Sequence, residues 1–323
     1  MGKKTVSLVL SIVLVIVCVP AALADSFSDS ANSWAAEAID RWNDYGVVNG
    51  FNGEFQPKRE LTRAEAAQII VNLLKLEEEA ELNDYSDADC WYKSALAKCV
   101  AAGVMQGYEG RFYPEEPVTR EQYFVMLARA LRVPESDTCN KEFTEADKIS
   151  DWAKGYINAL VDLGVVNGYN GELFAGETIT RDQAVTVIDN AIAAYANEDG
   201  KTVKAEKKGI ILVVADNVAV EAPGGSVIVV AKKGADVSLK DTDKKVEVIV
   251  LTDDVKLTNV PAGSSVTVDE GVTGAYVNGA AAAAGESKTV ESLHMQRPPA
   301  IPSASISTVT EPLLKRRPLR PAA

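Results

Sequence analysis

Histidine is all but missing from this 323-residue chain: His294 is the only one, and it lies beyond every patterned segment. A histidine-based catalytic triad or a histidine-rich metal site has nothing to be built from. Cysteine is scarce too. Cys18, Cys90, Cys99 and Cys139 include no Cys-x-x-Cys pair, so neither a thiol redox motif nor a disulfide scaffold is expected. There is no P-loop, and no cofactor or metal is expected. Basic residues are in deficit, 33 Lys and Arg against 46 Asp and Glu, for a net charge of −13. Nucleic acid and anionic membrane both require clustered cations to release counterions, so neither is an expected partner.

What is present begins with a three-part N-terminal pattern. Lys3 and Lys4 precede an apolar run from Leu8 to Val19, and Ala22-Leu23-Ala24 supplies a small-x-small cleavage site before Asp25. Residues 1–24 read as a secretory signal peptide, because the run is short for a membrane span; an uncleaved anchor is the alternative. The exported chain would keep Cys90, Cys99 and Cys139, an odd number that allows at most one internal disulfide.

The dominant feature is internal repetition. Trp34, Trp91 and Trp152 are separated by 57 and then 61 residues, and the same two offsets relate Gly46, Gly103 and Gly164. They also relate Gly50, Gly107 and Gly168, and again Arg63, Arg120 and Arg181. In copy one, Trp34, Ala38, Ile39 and Trp42 fall at helical spacing and suggest one apolar stripe. Gly46 would end that helix in the left-handed conformation, and a turn with two close glycines follows, Asn49-Gly50-Phe51-Asn52-Gly53. Such glycines imply tight backbone geometry or close approach of another group. A second helix opens on a capping box in every copy: Thr62 with Glu65, Thr119 with Gln122, Thr180 with Gln183.

Arg63, Arg120 and Arg181 each fall at the first position of that helix, where a cation opposes the helix dipole at a cost of roughly 0.3–1 kcal/mol. Three arginines placed against this preference should each have a partner. Two compatible readings are open: an anion, most simply a carboxylate held by the guanidinium fork at the helix N-terminus, or a salt bridge to an acid of a neighbouring repeat. The tryptophans also have two readings, as core at the head of a helix or as a platform for a sugar ring at the rim of a groove.

The repeats resemble the S-layer homology family. Copy one carries Phe27-Ser28-Asp29, Trp34-Ala35, Val47-Val48-Asn49-Gly50, Phe55-Gln56-Pro57 and Leu61-Thr62-Arg63-Ala64-Glu65. Copy two carries Tyr85-Ser86-Asp87, Trp91, Val104-Met105-Gln106-Gly107, Phe112-Tyr113-Pro114 and Val118-Thr119-Arg120-Glu121-Gln122. Copy three carries Phe143-Thr144-Glu145, Asp151-Trp152-Ala153, Val165-Val166-Asn167-Gly168 and Ile179-Thr180-Arg181-Asp182-Gln183. The resemblance spans roughly residues 26 to 196. It implies a pseudo-threefold helical spindle whose grooves bind secondary cell-wall polymer linked to peptidoglycan, often through a pyruvylated sugar. It further implies that Arg63, Arg120 and Arg181 contact the pyruvyl group. Asp29, Asp87 and Glu145, the three tryptophans, and Gly50, Gly107 and Gly168 would shape the grooves. Copy three departs most, with Glu145 for the usual Asp and Leu173-Phe174-Ala175 for Phe-x-Pro, so its groove is expected to bind last.

After Asn197 the period changes to β-branched runs between Gly, Asp, Lys and Pro. Val218-Ala219-Val220, Val237-Ser238-Leu239 and Val255-Lys256-Leu257 recur at 19 and 18 residues, which suits the coils of a small solenoid, with a sandwich as the alternative. Scattered acids such as Asp253 and Asp254 read as a solvated face rather than a glycosidase pair. From Ala280 the chain turns alanine-rich, then proline-rich and basic; the readings are a disordered tail or a frameshifted or truncated gene end. The expected fold class is multidomain α + β. Its parts are a signal peptide at 1–24, repeats at 25–80, 81–138 and 139–197, an all-β domain at 198–280 and a tail at 281–323. The expected function is non-covalent attachment of a secreted surface protein to wall polysaccharide, without enzymatic activity and with possible self-association into a surface layer. The alternatives are a wall-tethered polysaccharide-active enzyme and a protein that only self-assembles.

Overall fold

The computed structural model describes residues 27–89, 91–240 and 244–290. The signal-peptide and C-terminal-tail readings therefore fall largely outside the described residues, as do Cys90 and His294. Each repeat contributes two helices: α1 (Ala36–Asp44) and α2 (Arg63–Leu74), α3 (Lys93–Ala101) and α4 (Arg120–Ala130), α5 (Asp151–Asp162) and α6 (Arg181–Ala191). The first helix of each pair ends where the sequence places the left-handed glycine, with φ of 71° at Gly46, 69° at Gly103 and 73° at Gly164.

The second helix of one repeat packs against the first helix of the next: α2 on α3, α4 on α5, and α6 back on α1. The chain closes this ring at its centre with three backbone hydrogen bonds. The amide of Leu61 donates to the Ile179 carbonyl (2.9 Å), Val118 to Leu61 (2.9 Å), and Ile179 to Val118 (3.1 Å). These three side chains are fully buried on the pseudo-threefold axis. Burying each aliphatic side chain contributes about 1.5–3 kcal/mol, so the apolar residue just before each Thr-Arg is what joins the repeats.

The β region forms a two-sheet solenoid. One sheet has the order β1-β3-β5-β7-β9-β12 and the other β11-β10-β8-β6-β4-β2, so the chain alternates between sheets and each turn advances one coil. The first sheet contains β1 (Ile192–Ala196), β3 (Ile210–Val213), β5 (Val227–Val230), β7 (Glu247–Val250), β9 (Ser265–Val268) and β12 (Ser287–Thr289). The second contains β2 (Thr202–Lys204), β4 (Val218–Glu221), β6 (Asp236–Lys240), β8 (Lys256–Thr258), β10 (Ala275–Val277) and β11 (Ala280–Ala282). Strands pair in parallel along both stacks until β11 and β12, which add antiparallel.

Three details differ from the sequence reading. The first strand, β1, starts at Ile192, directly after α6, within residues read as part of the third repeat. Val237 pairs with Leu257 rather than Val255, a shift of two residues that keeps the same face inward, since Val255 and Leu257 are both buried in the solenoid core. Residues 280–289, read from composition as the start of a tail, form β11 and β12; small alanines fit against β10.

Every residue of β3 is buried, in contrast to the alternating burial of β6. The reason lies in what covers its two faces. Ile211 and Val213 point into the solenoid core, while Ile210, Leu212 and Val214 pack on the helical ring. Tyr195 anchors this contact: its hydroxyl donates to the Leu73 carbonyl (2.8 Å), and its ring packs against Trp42 and Tyr45. Across the same junction, Arg132 donates twice to Asp269 Oδ2, at 2.9 and 2.7 Å.

Candidate functional site

The recurring residues assemble where repeats meet. Each second helix opens on its capping box, with the Thr62 amide donating to Glu65 Oε2 (3.0 Å) and the Thr119 and Thr180 amides to Gln122 and Gln183 (both 3.3 Å). The next amides cross into the neighbouring repeat. Arg63 and Ala64 donate to Glu116 and Pro114, Arg120 and Glu121 to Glu177 and Ala175, and Arg181 and Asp182 to Arg59 and Pro57. All three helix N-termini are thus satisfied by protein, which corrects the expectation that they are open to an anion.

The guanidinium groups follow the same path. Arg63 Nε donates to the Phe112 carbonyl (2.8 Å) and Nη1 to Gln122 (3.2 Å). Arg120 Nε donates to Leu173 (2.8 Å) and Nη1 to Gln183 (3.1 Å). Arg181 Nε donates to Phe55 (2.8 Å), and its Nη1 lies 4.0 Å from Glu65. The partner of each arginine is therefore mainly a neutral carbonyl of the next repeat; only Arg181 faces an acid in the capping position. Burial pushes all three guanidinium groups down from the ordinary arginine value. The opposing acids are Glu116 and Asp87 at Arg63, Glu177 and Glu145 at Arg120, and Glu65 and Asp29 at Arg181. They remain cations at neutral pH, and a partly desolvated cation gains most from a charged partner.

The early acids have structural work. Asp29 accepts from the amides of Phe55 and Gln56 (both 2.7 Å), and Asp87 from those of Phe112 (2.8 Å) and Tyr113 (2.9 Å). In copy three Glu145 accepts from the Phe174 amide. These bonds hold Gln56, Tyr113 and Phe174 in the left-handed conformation, with φ of 59°, 52° and 54°. Burial alone would raise the Asp87 carboxyl, but the two amides and Arg111 outweigh it and hold it below the usual carboxylate range. Gly50, Gly107 and Gly168 are explained by close approach from within the repeat. A Cβ on Gly50 or Gly107 would lie 2.2 Å from the ring of Phe27 or Tyr85, and one on Gly168 would lie 2.9 Å from Phe143.

The tryptophans are not core. Trp34, Trp91 and Trp152 are 61, 73 and 49% exposed, so the apolar stripe of the first helix is Ala38, Ile39 and Trp42 without Trp34. Helix α1 begins only at Ala36, so helical phase does not apply to Trp34. A second set of exposed aromatics escaped sequence reasoning: Phe51, Tyr108 and Tyr169, each opening a turn that closes on a residue three further along. The available signal was an aromatic placed between two turn glycines in every copy, where no core can receive it. One groove gathers all these parts. A cavity of about 590 Å³ is lined by Trp34 of copy one, Arg120 and Phe124 of copy two, and Gly168, Tyr169 and Gln183 of copy three.

A closed ring of three helix pairs, with arginine and exposed aromatics between them, defines a tandem-repeat surface module. Comparison with known proteins then gives its family. Residues 26–67, 81–124 and 142–185 each match the S-layer homology domain, so the chain carries three tandem S-layer homology motifs. Several relatives are surface proteins by name: the chain is 35% identical to the surface-layer 125 kDa protein of Lysinibacillus sphaericus over 54% of this chain and 16% of that one. It is 32% identical to exoglucanase XynX of Acetivibrio thermocellus over 50% of this chain and 16% of the enzyme. With the S-layer protein sap of Bacillus anthracis it shares 27% identity over 64% of this chain and 25% of that one. The chain thus spans about a sixth to a quarter of the length of these relatives.

Among the described residues Cys99 and Cys139 are both free thiols. Burial pushes the Cys99 thiol up to about 12, which makes it inert packing rather than a nucleophile. No group of three or more His, Cys, Asp or Glu suited to a metal ion occurs among the described residues, and no described helix is long and apolar enough to cross a membrane.

Proposed function

We propose that the helical ring attaches the protein non-covalently to the cell wall by holding secondary cell-wall polysaccharide in the grooves between repeats. The observation that carries this reading is the convergence of Trp34, Tyr169 and Arg120 from three different repeats on one groove. An exposed indole and phenol offer flat apolar faces to sugar rings, and a half-buried guanidinium offers a charge-assisted bond to an acidic substituent such as a pyruvyl carboxylate. The β-solenoid is then a structural part carried on the anchor, and the protein is a component of the surface layer rather than an enzyme. An exoglucanase and a surface-layer protein are each similar to about half of this chain, in keeping with an anchor shared by chains of different activity.

The tryptophans give the cleanest test, because they are exposed whereas the arginines also join repeats. Replacing Trp34, Trp91 and Trp152 together with Ala is expected to weaken binding to purified wall polysaccharide at least tenfold while leaving the circular dichroism spectrum unchanged. Binding that survives this triple change would contradict the reading.

A further inference from the structure

The residue that follows each groove arginine differs between copies: Ala64 after Arg63, Glu121 after Arg120 and Asp182 after Arg181. The three occupy equivalent places, because their amides donate to matching carbonyls of the neighbouring repeat, those of Pro114, Ala175 and Pro57. All three are buried. Where a side chain is long enough, it reaches the part of that neighbour which carries the exposed tryptophan.

Glu121 accepts from both the amide (3.1 Å) and the hydroxyl (2.8 Å) of Ser150, two residues before Trp152. The pinned Ser150 is the N-cap of α5, which starts at Asp151 and so takes Trp152 into the helix. Trp34 and Trp91 instead precede α1 and α3, which start at Ala36 and Lys93. Asp182 works through a cation. Its Oδ2 accepts from Lys58 Nζ (2.7 Å), while Oδ1 accepts from the Gln183 amide (2.8 Å) and the Thr180 hydroxyl. The Lys58 ammonium also lies over the Trp34 ring, 5.8 Å from its centroid, within reach of a cation–π attraction. Asp182 is fully buried, so parting it from this cation would leave a desolvated charge, and Lys58 is held where it stands. Lys58 is outside the cavity that Trp34 lines, which leaves the groove side of the ring clear. For Trp91 the corresponding residue is Ala64, which has no polar group to offer, and Glu115 stands where copy one has Lys58. Exposure rises in that order: 49% at Trp152, 61% at Trp34 and 73% at Trp91.

We infer that the residue after each groove arginine positions the tryptophan of the next repeat, Glu121 through Ser150 and Asp182 through Lys58, and that Trp91 is the loosest of the three platforms. An indole fixed before binding has less rotamer freedom to lose when a sugar ring settles on it, so the support appears as affinity. The effect on binding rests on the polysaccharide reading above; the effect on the rings rests on geometry alone.

Acrylamide quenching of tryptophan fluorescence without ligand tests the positioning, and calorimetry of the full chain with purified wall polysaccharide tests its consequence. With Trp91 and Trp152 replaced by Phe, Trp34 is the one exposed tryptophan left, since Trp42 is buried. In that background Lys58→Met is expected to raise quenching about twofold and Lys58→Arg to restore it, because arginine keeps both the charge and the contact with the ring. With all tryptophans in place, Lys58→Met should weaken polysaccharide binding about threefold, and Lys58→Arg should not. Ala64→Asp together with Glu115→Lys rebuilds the pair beside Trp91. It should lower the quenching of Trp91 when Trp34 and Trp152 are Phe, and tighten binding when they are not. This gain keeps the test open if Lys58→Met unfolds. A lower Tm for Lys58→Met with unchanged quenching would make Lys58 a purely structural residue and overturn the inference. Changed quenching with unchanged affinity would overturn the link to binding. A parent protein that does not bind the polysaccharide would remove the reading above, and quenching alone would then decide the positioning.

Discussion

Asp87 illustrates how a motif residue serves the groove without touching what lies in it. Its carboxylate holds two consecutive amides and thereby the left-handed Tyr113 beside the turn that presents Tyr108. Because its folded pKa is depressed, its contribution is fully present above the usual carboxylate range and is lost as pH falls through the folded value. Asp87→Asn should therefore destabilise the protein by about 1–3 kcal/mol at pH 7, where a buried amide loses its charged acceptor. Thermal melts should show the gap between variant and parent closing towards pH 2; a gap independent of pH would refute the assignment. The same scale explains what the sequence could not tell. The need for glycine at Gly50 was visible, but the ring that imposes it is Phe27, 23 positions earlier, and only folding brings the two together.

At the scale of elements, local signals proved readable. Left-handed glycines and capping boxes depend on residues within four positions of one another, and both occur where their residue types indicate. Thr119→Ala should cost about 1 kcal/mol in urea unfolding, since it removes the hydroxyl that accepts from Gln122 N. No loss of stability would mean that the neighbouring repeat alone fixes the helix start. What was not readable is where the remaining amides go. Their acceptors, such as Pro114 for Ala64 and Ala175 for Glu121, belong to the next repeat, so a single copy gives no hint that its helix is closed by another. Register in the solenoid was missed for a related reason: Val255 and Leu257 both point inward, and only pairing with the neighbouring coil decides which of them sits beside Val237.

At the scale of the molecule, one buried sheet joins two kinds of repetition. The helical ring closes on itself through α6 and α1, and the chain then leaves α6 straight into β1, whose sheet lies between the ring and the second sheet. The resemblance implied a closed spindle, but the linear order of the repeats does not reveal that the Arg120 groove takes its arginine, its turn and its tryptophan from three different copies. That arrangement makes this groove a property of the ring, and it supports the proposed attachment to wall polysaccharide. The most direct measurement is co-sedimentation of the purified protein with cell-wall sacculi before and after chemical removal of their secondary polymer. The account predicts binding to intact sacculi that disappears with the polymer; equal binding to both preparations, or to neither, would contradict it.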